Sequence, residues 1–206
     1  SPALNVSQPR ISASTVSPKA SLAWQVSDAW RLTGSWGIAY RMPTVTELYQ
    51  SVTTGTFLSV PNPNLKPERA SSYELAAEYR KDSGLFRLSF FKEDISSALL
   101  SQSAPLVAGS TALYSYVQNV DRTQVQGVEF VVDQYDAFIP GLELMGSLTA
   151  ADGRIKRDSA FAAAVNKFIP GVPKLKGKIL AIDRVDRWSF SLGARYSDRS
   201  FGTIDN

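Results

Sequence analysis

Apolar and polar side chains alternate with a period of two along most of this 206-residue chain, as they do in a strand whose two faces meet different surroundings. Over residues 29–41, Trp30, Leu32, Trp36, Ile38 and Tyr40 share one face with Gly34. Arg31, Thr33, Ser35, Gly37, Ala39 and Arg41 share the other. Just upstream, Ala20, Leu22, Trp24 and Val26 alternate with Lys19, Ser21, Ala23 and Gln25, and Ser27-Asp28 supplies a tight turn, so the two runs predict a hairpin. The pattern returns over 72–81, where Tyr73, Leu75, Ala77 and Tyr79 oppose Glu74, Ala76, Glu78 and Arg80. Asp82-Ser83-Gly84 turns the chain and residues 85–96 come back beside it. Further strands are predicted at 116–133, 142–151, 172–183 and 187–197, eight in all, the last with Trp188, Phe190, Leu192, Ala194 and Tyr196 on one face. In 172–183 the apolar residues are divided between both faces.

Alternation alone fits a soluble β-sandwich as well as a membrane barrel. Two further patterns favour the barrel. The joins near Ser27, Ser83, Ile139 and Val185 are short, those over 41–69, 97–115 and 152–171 are long, and the two kinds alternate strictly. Outer-membrane barrels sort their connections in this way, with short periplasmic turns and long extracellular loops. The rings also fall into two groups: Trp24, Trp30, Tyr79, Phe86 and Trp188 near the short turns, and Tyr40, Tyr73, Tyr114, Tyr116 and Tyr196 near the long loops. Aromatic girdles at the two membrane interfaces predict that spacing. The predicted fold is therefore an all-β, antiparallel transmembrane β-barrel fragment of about eight meandering strands.

Composition narrows the chemistry. Hydrophobic residues make up 44% and charged residues 20%, enough apolar material for a folded chain. The formal charge of +3 is spread over 22 basic and 19 acidic residues with no basic stripe, so no nucleic-acid partner is expected. No histidine and no cysteine occur, which removes Ser-His-Asp hydrolysis, disulfides and His- or thiolate-ligated metal sites from what this chain can build by itself. Neither a catalytic residue nor a metal ligand nor a cofactor is expected. No run of about 18 apolar residues is present to span a membrane as a helix.

The first long connection opens with Tyr40-Arg41-Met42-Pro43-Thr44-Val45-Thr46-Glu47-Leu48-Tyr49, in which Thr44 and Glu47 have capping-box spacing and predict a short helix after Pro43. It closes with Asn62-Pro63-Asn64-Leu65-Lys66-Pro67-Glu68, and Ser72-Tyr73-Glu74-Leu75 starts the next strand. Asn119 leading to Gly127-Val128-Glu129, and Ile169-Pro170-Gly171-Val172-Pro173-Lys174, follow in order. This succession resembles the barrel of TonB-dependent outer-membrane receptors, over roughly residues 17–206. Met42 departs from the Ala or aromatic residue common there. The family's plug domain, TonB box and terminal aromatic residue are missing from the sequence, so residues 1–206 are expected to be an internal part of such a barrel, its final strands absent.

The resemblance implies a location in the outer membrane of a Gram-negative bacterium, contact with outer-membrane lipid, energy from TonB acting through the plug, and import of a small-molecule metal chelate, by default a ferric siderophore. It implies no enzyme. Arg31, Glu74, Glu78, Arg87, Glu129 and Arg195 are expected to face the lumen and plug, where the plain alternative is a solvated inner wall. Arg41 stands where an anionic chelate would arrive and its guanidinium suits carboxylate or catecholate oxygens. Tyr49, Phe57 and Tyr114 are candidates to stack on a ligand, although loop aromatics more often pack on one another. A passive porin would share the alternation but not the motifs, and a soluble β-sandwich binding domain would bury Trp24, Trp30, Trp36 and Trp188 between its sheets.

Overall fold

The computed structural model describes residues 12, 14–55, 57–105, 113–204 and 206. Within these residues ten strands form: β1 (Lys19–Gln25), β2 (Trp30–Arg41), β3 (Val52–Thr54), β4 (Phe57–Val60), β5 (Glu68–Lys81), β6 (Gly84–Pro105), β7 (Leu113–Gln134), β8 (Leu142–Arg157), β9 (Leu175–Val185) and β10 (Trp188–Ser197). Among the described residues one short α-helix, α1, covers Val45–Tyr49, and a single 3-10 turn covers Ala162–Ala164. The eight long strands lie in the order β1-β2-β5-β6-β7-β8-β9-β10, each antiparallel to the next, with β1 and β10 as the two open edges. No helix among the described residues is long and apolar enough to cross a membrane, which has no bearing on crossing by strands.

Register turns the alternation into rows. Leu32, Ala77, Leu88, Phe130 and Leu148 stand opposite one another in successive strands, and Gly34, Leu75, Phe90, Val128 and Ala150 form the next row on the same face. One residue out of step, Arg31, Glu78, Arg87, Val131, Ser147, Lys178 and Arg195 line up on the opposite face. A slip of one residue in any pairing would carry the whole apolar set to the polar side, so the two environments fix the register. The apolar face is not a sealed interior: Leu75 is 60% and Leu192 78% exposed. An apolar surface continuous over eight strands needs a partner other than water.

Near the short turns Trp30 and Tyr79 lie 4.9 Å apart, and Tyr79 and Phe86 6.4 Å, a ring belt running across three strands. Asp82 and Asp186 hold left-handed backbone (φ 48° and 52°) in two-residue turns, a conformation Asp tolerates better than most residues. The first turn is wider than a two-residue reversal. Pairing stops at Gln25 opposite Arg31, and the Trp30 carbonyl accepts from the amides of Val26 and Ser27.

The long connections carry more structure than their composition predicts. β6 and β7 continue as a ladder to Pro105 and Leu113, well past Ser97 and Ser115. Tyr116 lies ten residues beyond the Tyr73–Lys92–Gln126 row, roughly 33 Å along the strand, so Tyr114 and Tyr116 are too distant to share an interface girdle with Tyr73. Within the first long connection β3 and β4 form a hairpin, and β4 pairs in parallel with the start of β7, Phe57 opposite Leu113.

This upper part of the β6–β7 ladder is covered on both sides. Neighbouring residues point to opposite faces of a strand. Asn119 meets the 62–68 segment, whereas Val120, fully buried, packs with Ala98, Ile155, Ala164, Ile169 and Ile204. That cluster is the one compact hydrophobic core of the described residues, drawn from β6, β7, β8, the β8–β9 connection and the segment after β10. β9 runs from Leu175, and its divided apolar residues sort by register: Gly177 and Ile179 join the apolar rows, while Leu180 packs against Gly193 on the polar face.

Candidate functional site: the loop scaffold and the polar wall

The first long connection is built around one carboxylate. Glu47 accepts from the Thr44 amide (2.7 Å) and hydroxyl (3.0 Å) with Oε2 and from Arg41 Nη2 (2.6 Å) with Oε1, while its own amide donates to Thr44 Oγ1 (3.2 Å). A capping box thus starts α1. Partial burial pushes the Glu47 carboxyl up, but the Thr44 bonds and the Arg41 charge outweigh this and hold it below the ordinary range. The Glu47 carbonyl accepts from the Asn62 amide (2.8 Å), which ties the opening of the connection to its close. Leu48 and Leu65 are buried.

The closing segment is fastened to the β6–β7 ladder. Asn119 Oδ1 accepts from the Lys66 amide (2.8 Å), and Nδ2 donates to the carbonyls of Lys66 (2.9 Å) and Ser97 (2.8 Å). β5 stops pairing with β6 at Arg69 opposite Ser96, which leaves the next edge amides of β6 without a strand partner. Glu68 Oε2 takes the Leu99 amide at 2.7 Å, so a charge-assisted bond replaces the lost ladder bond. Arg41, Glu47, Asn62, Glu68 and Asn119 therefore hold one another or the backbone in place.

The polar face carries the charged candidates. Arg87 pairs with Glu74 and approaches Glu78 at 3.9 Å, and Glu78 also accepts from Arg80 at 3.1 Å. Arg31 stands opposite Glu78 in the register. Glu129 lies opposite buried Ser89, and with Lys178 and Arg195 it lines a hollow between β7 and β10. No cluster of acidic residues suited to a metal ion occurs among the described residues.

A family model described as "TonB dependent receptor-like, beta-barrel" matches residues 2–206. The chain belongs to the TonB-dependent receptor family. It is 30% identical over 158 residues to the probable hemoglobin and hemoglobin-haptoglobin-binding protein 1 of Haemophilus influenzae, an alignment covering 72% of this chain and 14% of that protein. It is 35% identical over 100 residues to protein 4 of the same series, 44% of this chain and 10% of that one. Among solved structures, the copper transporter OprC superposes with a TM-score of 0.68 at 17% identity, covering 91% of this chain and 28% of that one. The ferric enterobactin receptor of Pseudomonas aeruginosa gives 0.65 at 18%, covering 88% and 27%. The chain thus spans 10 to 14% of these curated relatives and just over a quarter of these solved chains.

Outer-membrane barrels turn an apolar face to lipid and a polar face to the lumen. The open sheet is a sector of such a barrel. All six charges expected in the lumen, Arg31, Glu74, Glu78, Arg87, Glu129 and Arg195, lie on the polar face by register. The loop candidates come apart. Arg41 is bound to Glu47 in the scaffold. Tyr49 ends α1, half-buried. Tyr114 stacks on Tyr116 at 5.4 Å, on the face of β7 that carries Val120, away from the Asn119 side. Phe57 lies in β4 by its backbone, and its side chain falls outside the described part.

Asn119 and Glu68 fall within the sequence motifs, but nothing in their spacing marks them as clamps. A polar side chain placed where a neighbouring strand has ended is the signal that would have found both. Asn119→Ala removes three bonds, and the 62–68 segment is expected to loosen by about 2 kcal/mol. In the full-length receptor, hydrogen exchange at the Lys66 and Leu99 amides should then speed up about thirtyfold while the β7–β8 ladder stays protected. Unchanged exchange at both amides would show that Asn119 is not a clamp.

Proposed function

We propose that the receptor containing this chain imports a scarce iron-bearing nutrient across the outer membrane, by default a ferric siderophore or related metal chelate, with TonB supplying the pull through a plug domain. The observation that carries this reading is the division of labour in the sheet. A charged wall of Arg31, Glu74, Glu78, Arg87, Glu129 and Arg195 suits a plug-filled, hydrated lumen, and the scaffolded loop above it gives a ligand a rigid place to land. Tyr49 and the guanidinium edge of Arg41 that Glu47 does not hold are the proposed contacts here, with Phe57 and Tyr114 as further loop candidates. The chain's own residues supply position and charge, and nothing in its histidine- and cysteine-free sequence calls for catalysis.

A second reading has its own support. The relatives at 30 and 35% identity are named for hemoglobin binding, which favours haem iron as the cargo. A passive pore finds no support in a family of receptors. Growth of an iron-starved host that lacks its own receptors tests all three. With the full-length protein restored, growth on a ferric siderophore but not on hemoglobin supports the default, and the reverse supports the second reading. Growth that persists after TonB is deleted, together with open conductance in planar bilayers, would rule out energised import.

A further inference from the structure

The lipid-facing surface ends in a band of charge that import does not use. On the same face as Leu75, Phe90 and Val128, the next positions upward are Lys92 and Gln126, then Asp94 and Gln124, then Arg122. β8 continues the band with Asp152 and Arg154. These residues lie eight to twelve positions beyond the strand ends at Gly84, Gln134 and Leu142, roughly 25 to 40 Å along the strands, where the hydrocarbon gives way to headgroups. Lys92 and Arg122 share Asp94 at 3.6 and 2.7 Å.

Two of these cations, Lys92 and Arg154, converge with Lys174. Phe90, Val128 and Ala150 floor a shallow hollow whose upper rim is Lys92, Arg154 and Lys174, with Gln126 beside them and Asp152 as the one acid. The Arg154 guanidinium lies 3.6 Å from the centre of the Phe168 ring, bonded to Asp152 (2.9 Å) and to the Asn166 carbonyl (3.0 Å). Lys174 Nζ sits 4.3 Å from the same ring, and Phe201 stacks on it at 5.4 Å. Cations that only needed to reach water would have no cause to be fixed on an aromatic platform above an apolar floor.

We propose that this hollow binds a phosphate-bearing lipid of the outer leaflet, its acyl chain against Phe90, Val128 and Ala150 and its phosphate against Lys92, Arg154 and Lys174. The apolar floor selects a lipid over a free anion, and the excess of cations selects phosphate over an uncharged headgroup. The proposal rests on the outer-membrane placement of the barrel and is independent of its cargo.

The test uses the full-length receptor in neutral detergent, with native mass spectrometry reading bound diphosphoryl lipid A against its dephosphorylated counterpart. Lys92→Gln with Lys174→Gln leaves the Arg154 platform in place. It is expected to weaken diphosphoryl lipid binding about thirtyfold, near fivefold for each cation beside an anionic lipid surface. The dephosphorylated lipid should bind native receptor equally weakly. Lys176→Gln with Lys178→Gln on the lumen wall removes the same charge and should leave binding unchanged. Heat-modifiable migration of each variant reports folding, and TonB-dependent growth reports import separately. Equal binding by native and Lys92/Lys174 variants, an equal loss in the lumen variant, or displacement of the lipid by inorganic phosphate at matched concentration would each overturn the proposal.

Discussion

Leu75→Arg is expected to cost the full-length barrel about 2 to 4 kcal/mol when it folds into a bilayer, whereas Ser35→Arg costs about 0.5 kcal/mol or less. The two positions lie on adjacent paired strands, one register step out of phase: Leu75 stands opposite Gly34, and Ser35 opposite Glu74. Leu75 projects into the apolar row at 60% exposure. A guanidinium there must either shed its hydration in hydrocarbon or snorkel past Tyr73 to the headgroups. Ser35 projects to the polar face beside Glu74, where the new charge meets water and a carboxylate. Reversible unfolding in urea from phospholipid vesicles gives both values. Equal costs for the two substitutions would mean that the faces do not meet different media, and the transporter reading would fall with them.

That contrast was legible in the sequence because it depends only on parity. Once Trp30 and Arg31 are placed on opposite faces, register carries the assignment to Tyr79 and Glu78 and on to Phe86 and Arg87 without further information. The capping box of Thr44 and Glu47 was legible for a related reason, since its partners are three residues apart and a local rule suffices. The extension of β6 and β7 was not. Above the headgroups lipid no longer selects the outward residue, so 97–105 loses its alternation and reads as a loop although the ladder continues.

What remained hidden was everything made across distance. β4 meets β7 more than fifty residues away in sequence, in parallel, because the connection crosses the ladder to reach an edge that β8 leaves free above Arg122. Composition in 52–60 carries no mark of that destination. The charged candidates show the same limit. Spacing placed Arg87, Glu74 and Glu78 on one face, but only register shows that Arg87 serves both carboxylates. Arg41 was legible as a cation at the opening of the first long connection, and its bond to Glu47 was not, since that bond requires α1 to fold back toward the end of β2.

Gly127→Val is expected to do more damage than any charge reversal on the lumen wall, because no side chain fits at that position. A Cβ placed there would stand 2.3 Å from the Ala150 carbonyl oxygen and 3.1 Å from the Ala151 Cα, both backbone atoms of β8, and 2.6 Å from the Phe91 ring. The ring can swing aside, but the β8 backbone can retreat only by breaking the ladder around Gly127 and Ala151. The freed amides and carbonyls, one position below the headgroup boundary, lose their strand partners, and each costs about 1 to 3 kcal/mol. The full-length variant is therefore expected to assemble at under a tenth of the native yield, read as the heat-modifiable fraction in outer membranes. Gly34→Val supplies the counterpart: nothing lies within 4 Å of a Cβ at Gly34, which points to lipid, and normal assembly is expected. Native yield from Gly127→Val would mean that β7 and β8 do not approach as closely as this sheet requires. Loss in both variants would point instead to a general intolerance of β-branched side chains in the sheet, and would remove the case for a specific clash between a side chain at 127 and the β8 backbone at Ala150 and Ala151.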